Sequence, residues 1–186
     1  MVKELSSNRS TRRAPRPLDE ARLEELALAY VARFATTAHK LEGYLARKLR
    51  ERGWDGESAP DIPALVARHV ERGYVDDETF ARMRTGSLLR RGYGPRRVSE
   101  ALGMAGVASD LRENMAPDVL AQRQAALTLA RKRRFGPFGA EVPDHARREK
   151  QIAAMMRAGH ERHCAVALIH AESVDAAERW VDEAQE

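Results

Sequence analysis

The residue types that most often carry catalysis or bind metals are sparse in this chain and poorly spaced. A single cysteine, Cys164, directly follows His163, and the other histidines of that region are His145, His160 and His170. No two of these residues have the ligand spacing of a standard zinc site. Neighbouring helical side chains are expected to face apart, and nothing else in the sequence supplies a base for a cysteine nucleophile. The sequence therefore predicts neither a metal site nor nucleophilic catalysis.

Two adjacent acids, Asp76 and Asp77, allow two interpretations. As catalytic carboxylates they would have to converge, but neighbouring side chains at a helix start diverge, and no third carboxylate or histidine is spaced to join them. As a helix start they fit well, with Asp76 as the N-cap and Asp77 in the first turn. The glycine-containing run over residues 91–95 lacks the Lys-Ser/Thr pair and the preceding strand of a phosphate-binding loop. We therefore expect a protein that is not an enzyme and has no cofactor.

Arginine is the residue type that points to binding, since the chain has 27 Arg and only 5 Lys and guanidinium groups recognise phosphate. The cations expected to contact a partner or DNA are Arg82, Arg84, Arg90, Arg91, Arg96 and Arg97, and then Arg131, Lys132, Arg133 and Arg134. Arg96 and Arg97 fall in a first helical turn, where the dipole gives cations no stabilisation. A partner would then supply the anion, either phosphate or an acidic protein surface. The second set also suits a helix C-terminus without any partner, and an exposed Tyr93 would offer a surface for stacking bases.

Charge is unevenly distributed along the 186 residues, although the net charge is only +4. Residues 117–159 carry +5 and residues 160–186 carry −5. Residues 1–17 are basic and nearly free of apolar side chains, so they are expected to form a disordered arm. One cysteine, no secretory signal and no apolar run of membrane-spanning length together favour the cytoplasm.

Composition favours helices over strands, because the chain has 31 Ala but only 3 Ile and 6 Thr. Alanine is the best helix former, and strands favour β-branched residues. Three glycines, Gly53, Gly106 and Gly159, are 53 residues apart, and each follows a large apolar residue by four positions. The equal spacing predicts a repeat of about three short helices, stacked against its neighbours.

Two motifs in the middle of the chain carry a family resemblance. The run GYVDDETFA over residues 73–81, followed by RGYGPRRV over residues 91–98, resembles the signature of the RecX family of recombination regulators. The resemblance covers residues 20–170 and is weaker in the last third, where Ala158-Gly159-His160 replaces the usual Arg-Gly-Phe. It implies an all-α fold of three tandem three-helix repeats in a curved, elongated array.

The expected organisation is a disordered arm at 1–17 and helical repeats at 18–74, 75–117 and 118–186, the last with an acidic C-terminal helix. The residues expected to build the motif are Tyr74, Asp76, Asp77, Phe80, Gly53, Gly106 and Gly159. Of these, Tyr74 and Phe80 are interpreted as core anchors between the first two repeats.

The resemblance also implies a function and partners. RecX-family proteins bind the RecA recombinase, as a DNA filament or as free subunits, and limit its role in recombination, DNA repair and the SOS response. Related proteins also bind DNA. The partners expected for this chain are therefore RecA, its nucleoprotein filament, and single- and double-stranded DNA. Two other hypotheses stay open at this point: a sequence-independent DNA-binding protein that acts without the recombinase, and a helical scaffold for an unrelated partner. Salt dependence would separate the first of these from recombinase binding, because a pure phosphate binder loses affinity steeply as salt rises.

Overall fold

Helices account for nearly all of the regular structure. The computed structural model describes residues 16–185, and in that range the chain forms ten α-helices, two 3₁₀ turns and no β-sheet. The α-helices are α1 (Glu20–Arg33), α2 (Ala38–Arg52), α3 (Ile62–Glu71), α4 (Asp77–Arg90), α5 (Pro95–Gly103), α6 (Ser109–Asn114), α7 (Val119–Arg133), α8 (His145–Arg157), α9 (Arg162–Ile169) and α10 (Val174–Asp182). The all-α class predicted from the sequence is confirmed. Within the same range, no helix is both long and apolar enough to cross a membrane.

Most of the helices begin at a polar residue that caps the first turn. The N-cap side chains that accept a backbone hydrogen bond are those of Asp19, Thr37, Asp61, Asp76, Asp118, Asp144 and Ser173. The Asp76 carboxylate accepts from the hydroxyl of Thr79 at 2.5 Å and from its backbone N–H at 2.9 Å. These bonds favour the charged form and hold the pKa of the Asp76 carboxyl below its usual range.

The apolar residues form three separate cores that follow one another along the chain. The first includes Leu41 and Leu45 on α2, the second Leu88 and Leu102, and the third Met155 with its neighbours. Three consecutive helices build each core, and α10 adds a fourth to the last. The fold is therefore an elongated array of tandem helical units. We propose that residues 18–74, 75–117 and 118–186 are its repeats, and we call them the first, second and third units.

The predicted arm over residues 1–17 lies almost entirely outside the described residues. Only Arg16 and Pro17 are described. Both are exposed, and their carbonyl oxygens accept hydrogen bonds from Arg52 at 2.9 Å and from Arg22 at 3.2 Å. Leu18, the next residue, is fully buried in the first core.

Two of the equally spaced glycines, Gly106 and Gly159, mark the contacts between a unit and the one before it. Gly53, Gly106 and Gly159 follow the second helix of each unit, and all three have a positive φ. A Cβ on Gly106 would lie 2.3 Å from the side chain of His39 on α2, and one on Gly159 would lie 2.5 Å from the backbone nitrogen of Arg97 on α5. Gly106 and Gly159 thus let the end of one second helix approach the start of the previous one, whereas a Cβ on Gly53 would have no atom within 4 Å. All three glycines end a second helix with a positive φ, which accounts for the repeat seen in the sequence.

Asp77 joins the first unit to the second, a role that the sequence does not indicate. Its carboxylate accepts a hydrogen bond at 2.9 Å from the backbone N–H of Ala38, in the first turn of α2. At the same contact, the Thr37 hydroxyl donates to the carbonyl of Ala105. The second of the two adjacent acids therefore caps a helix of the preceding unit, 39 residues earlier in the chain.

We expect Asp77→Ala to lower the free energy of unfolding by about 1–2 kcal/mol, because it leaves the N–H of Ala38 without its cap. In a chain of this length that corresponds to a fall in Tm of roughly 2–8 °C. Thermal unfolding monitored by circular dichroism measures the change in Tm. The matched control is Glu78→Ala, which removes only an exposed pair with Arg82 and should cost less than about 0.5 kcal/mol. Equal losses in the two variants would show that the contact with Ala38 contributes nothing.

Tyr74 is not a core anchor, contrary to the expectation from the sequence. Its side chain is 52% exposed, whereas Val75 is only 2% exposed and packs into the first core. The reason is the turn at Gly73, with φ of 73°, which lets the N–H groups of Tyr74 and Val75 both bond to the carbonyl of His69. Phe80 is half-buried against the second core.

Candidate basic site between the second and third units

The second and third units are held together by three hydrogen bonds to backbone groups. The N–H of Gly94 donates to the carbonyl of Ala158 at 2.9 Å, and that of Arg96 donates to Gly159 at 3.2 Å. The buried His160 ring places Nε2 2.9 Å from the carbonyl oxygen of Gly92. Since a carbonyl oxygen only accepts, Nε2 carries the hydrogen. We call this contact between the second and third units the joint. It fixes the end of α4 and the start of α5 against the end of α8.

Basic side chains from both units converge beside this joint. A cleft of about 310 Å³ is lined by Arg91 and Tyr93 of the second unit and by Lys132, Arg133 and Arg157 of the third. These cations stand at or just beyond the ends of α4, α7 and α8. Its apolar wall consists of Leu129, Phe135, Ala154 and Ala158. We call this the joint cleft.

A second basic cleft, of about 390 Å³, shares a wall with the joint cleft. It includes Arg91 and Tyr93 again, and adds Lys40 of the first unit with Arg84 and Arg97 of the second. The Arg91 guanidinium carbon lies 5.1 Å from the centroid of the Tyr93 ring, a cation–π contact that holds the shared wall in place. We call this the adjoining cleft.

The two clefts together form a strongly positive surface. No carboxylate lines either of them. Among the described residues, six of the seven lining cations make no ion pair, and the seventh, Arg97, pairs only with the exposed Glu100 at 3.4 Å. Cations held close together without internal partners favour an external anion. The surface can therefore bind phosphate groups or an acidic protein segment.

Of the ten cations predicted from the sequence, the structure brings five together in the clefts and places five elsewhere. Those in the clefts are Arg84, Arg91, Arg97, Lys132 and Arg133, and those elsewhere are Arg82, Arg90, Arg96, Arg131 and Arg134. Arg82 pairs with Glu78 on its own helix at 2.6 Å, and Arg131 pairs with Glu178 on α10. Arg96 lines a different cleft, together with two glutamates.

Two lining cations, Lys40 and Arg157, lie outside both predicted sets. Neither residue belongs to a cluster of basic residues in the sequence, so charge clustering could not identify them as part of the site. Lys40 lies near the start of α2 and Arg157 at the end of α8, and only the stacking of the units brings both to the same face.

Cys164 and His163 do not face apart as expected from their adjacency. The Cys164 sulfur lies 3.3 Å from Nε2 of His163, whose Nδ1 lies 3.2 Å from the Glu161 carboxylate. This order of groups resembles a nucleophile with its base, but Cys164 is only 5% exposed. Burial raises the pKa of the Cys164 thiol, and the nearby Glu161 charge raises it further, so the thiol stays protonated. In the described part of the chain, no three His, Cys, Asp or Glu residues are grouped to hold a metal ion.

We expect the joint to weaken as the pH falls below about 6.5. Burial lowers the pKa of His160 below its ordinary value of 6.5. The unfolded chain therefore binds the proton more readily, and this contribution to stability is complete above about pH 6.5 and is lost as the pH falls through the pKa of the folded state. Thermal melts between pH 7.5 and 5 measure the effect, and His160→Gln should flatten the curve. If His160→Gln kept the wild-type dependence of Tm on pH, His160 would not be the source of the loss of stability.

The fold and the site define a class: a helical tandem-repeat protein with two basic clefts beside the contact between its second and third units. A family model described as "RecX, second three-helix domain" matches residues 76–115. Regulatory protein RecX of Myxococcus xanthus is 32% identical over 154 residues, covering 78% of this chain and 82% of the relative. The protein of the same name from Mycobacterium sp. (strain KMS) is 31% identical over 170 residues, covering 89% and 91%.

The chain belongs to the RecX family of regulatory proteins. The fold agrees with a solved structure of RecX from Lactobacillus salivarius, with a TM-score of 0.63 over 88% of this chain and 96% of the other, although the two sequences are only 15% identical. The family resemblance given by the sequence motifs is thereby confirmed.

Proposed function

We propose that this protein regulates the RecA recombinase, mainly as an inhibitor, by binding the RecA–DNA filament or free RecA. The support is twofold: membership of a family whose proteins carry the name regulatory protein RecX, and a positive surface suited to a polyanionic partner. Binding of this kind would limit recombination, strand exchange and SOS signalling.

The observation that carries the proposal is the pair of joined clefts. Seven cations from five helices or their ends line them without a carboxylate. A RecA–DNA filament is long, rich in phosphate and built from repeated protein subunits, so an elongated molecule with an extended basic face can contact several elements at once. Inhibition then requires no catalysed reaction. The bound protein only has to cover the surface at which the filament adds subunits or binds a second DNA molecule.

The alternative function is sequence-independent DNA binding without the recombinase. The carboxylate-free clefts are also consistent with this alternative, because DNA phosphate groups alone could bind their cations. The two functions differ in salt dependence: affinity that comes from phosphate contacts falls steeply with salt, roughly in proportion to the number of contacts. Contact with RecA adds apolar area, which salt does not weaken.

Pull-down with purified RecA tests the proposal, with and without single-stranded DNA and nucleotide, over a series of salt concentrations. We expect this protein to retain RecA in the absence of DNA. Part of the RecA should stay bound at salt concentrations that release DNA from this protein when RecA is absent. Retention of RecA only when DNA is present, with the same salt dependence as DNA alone, would favour the alternative function.

A further inference from the structure

A small cleft lies near the point where the described chain begins. The N–H and the carbonyl of Leu18 hydrogen-bond to the backbone on either side of Trp54, and Trp54 lines a cleft of about 130 Å³ in the first unit. We call it the first-unit cleft. We propose that it binds the guanidinium group of Arg12 or Arg13, from the arm of the same chain. The inference goes beyond the proposed function, and it requires neither RecA nor DNA.

The first-unit cleft carries an excess of negative charge. Glu20, Glu24 and Asp61 line it, together with one cation among the described residues, Arg68. Glu24 is already neutralised, because it pairs with Arg68 at 3.2 Å and with Arg72 at 3.5 Å. Within the described part of the chain, Glu20 and Asp61 have no basic partner at salt-bridge distance. Two unpaired carboxylates at one cleft favour a cation from outside the described residues.

The apolar part of the cleft suits an arginine better than a free ion. Trp54 and Pro60 contribute to it, and the Trp54 indole is held in place because its Nε1 donates to the carbonyl of Ser58 at 2.6 Å. Guanidinium groups stack on tryptophan rings. The ring of Trp180 already has Arg123 at 4.5 Å, whereas no described cation lies over the ring of Trp54. The cleft therefore offers carboxylates for the charge of an arginine and an aromatic ring for its plane.

Size, charge and chain length point to the arm as the source of that arginine. A volume of about 130 Å³ is below the range for small-ligand sites, which suits a single side chain. Residues 1–15 carry four basic residues and one acidic residue, so the arm and the cleft have opposite charges. Arg13 precedes Leu18 by five residues, a span of up to about 17 Å.

Attachment beside the cleft makes a weak contact sufficient. A segment joined to its site by a short stretch of chain has an effective concentration in the millimolar range. A contact too weak to hold a separate peptide can therefore hold the arm. A docked arginine is withheld from external anions, so the first-unit cleft would control how many cations of the arm a polyanion can reach.

Quenching of Trp54 fluorescence by acrylamide tests the contact in the full-length chain, with Trp180→Phe present so that Trp54 is the only tryptophan. Replacing both Arg12 and Arg13 with alanine should raise the quenching constant about 1.5-fold or more, because a contact with a millimolar dissociation constant is formed about half of the time at millimolar effective concentration. An unchanged quenching constant would overturn the proposal.

Two controls identify the arginines and the chain they come from. Lys3→Ala with Arg9→Ala removes the same charge from the arm and should leave the quenching constant unchanged, whereas an equal rise would overturn the assignment to Arg12 or Arg13. With the arm intact, quenching should not depend on protein concentration, because the contact forms within one chain. Quenching that falls as the concentration rises would mean that a second copy supplies the arginine, and would overturn the proposal.

Removing the two unpaired carboxylates tests the other side of the contact. Glu20→Gln with Asp61→Asn removes both charges, and asparagine at position 61 can still cap α3. In that background the alanine substitutions at Arg12 and Arg13 should no longer change the quenching constant, since partners in one contact are not additive. Glu25→Gln, on α1 but outside the cleft, should preserve their full effect. A full effect without the two carboxylates would overturn the proposal.

Discussion

Replacing Gly159 with alanine is expected to lower the free energy of unfolding by about 2–4 kcal/mol. The backbone there has φ of 95°, which costs a residue with a side chain about 1–3 kcal/mol. The new Cβ would also lie 2.5 Å from the backbone nitrogen of Arg97. Backbone cannot rotate away as a side chain does, so the contact between α8 and α5 must open.

Thermal and urea unfolding of Gly159→Ala measure this loss, with an expected fall in Tm of roughly 5–15 °C. Gly43→Ala is the matched control, since Gly43 lies within α2 and a Cβ there would have no atom within 4 Å. The control should be neutral or more stable by up to about 1 kcal/mol, because alanine favours helix. Equal melting of the two variants would show that the close contact between Gly159 and Arg97 does not stabilise the joint.

Reversing three charges of the joint cleft is expected to weaken binding to RecA–DNA filaments by at least ~100-fold. The variant carries Arg91→Glu, Lys132→Glu and Arg157→Glu, and we call it the cleft variant. Each of these side chains lines the joint cleft and lacks an acidic partner in the described chain. A hydrogen bond to a charged group is worth about 1.5 kcal/mol or more, so loss of three exceeds the free energy of a 100-fold change.

The matched control variant reverses the same number of charges beside the cleft. It carries Arg90→Glu, Arg96→Glu and Arg134→Glu, at or near the same helix ends but outside both clefts. We expect its affinity for filaments to stay within a few-fold of the wild type, measured by co-sedimentation at fixed salt. Equal loss in both variants would mean that net charge, and not the clefts, determines binding.

Much of the fold is readable from the sequence because its signals are local. Asp76 and Thr37 start helices by capping backbone groups three residues away, and composition alone favours helix. The spacing of Gly53, Gly106 and Gly159 predicts a repeat, although only the structure shows that Gly106 and Gly159 lie in close contact with the preceding unit.

The site is less readable because stacking of the units, and not local pattern, decides which cations share a face. Arg90 and Arg91 are neighbours in sequence, yet only Arg91 lines the clefts. Lys40 and Arg157 stand far apart in the chain and contribute to adjacent clefts. Asp77 shows the same limit, since its hydrogen bond to Ala38 crosses between units.

The role of the basic clefts in regulating RecA is tested most directly by RecA-catalysed DNA strand exchange, titrated with the wild type, the cleft variant and the control variant. We expect the wild type and the control variant to slow strand exchange in proportion to the amount added until the filament is saturated, and the cleft variant to leave it almost unchanged. Strand exchange that is unaffected by the wild type, or that all three proteins inhibit equally, would contradict regulation through these clefts.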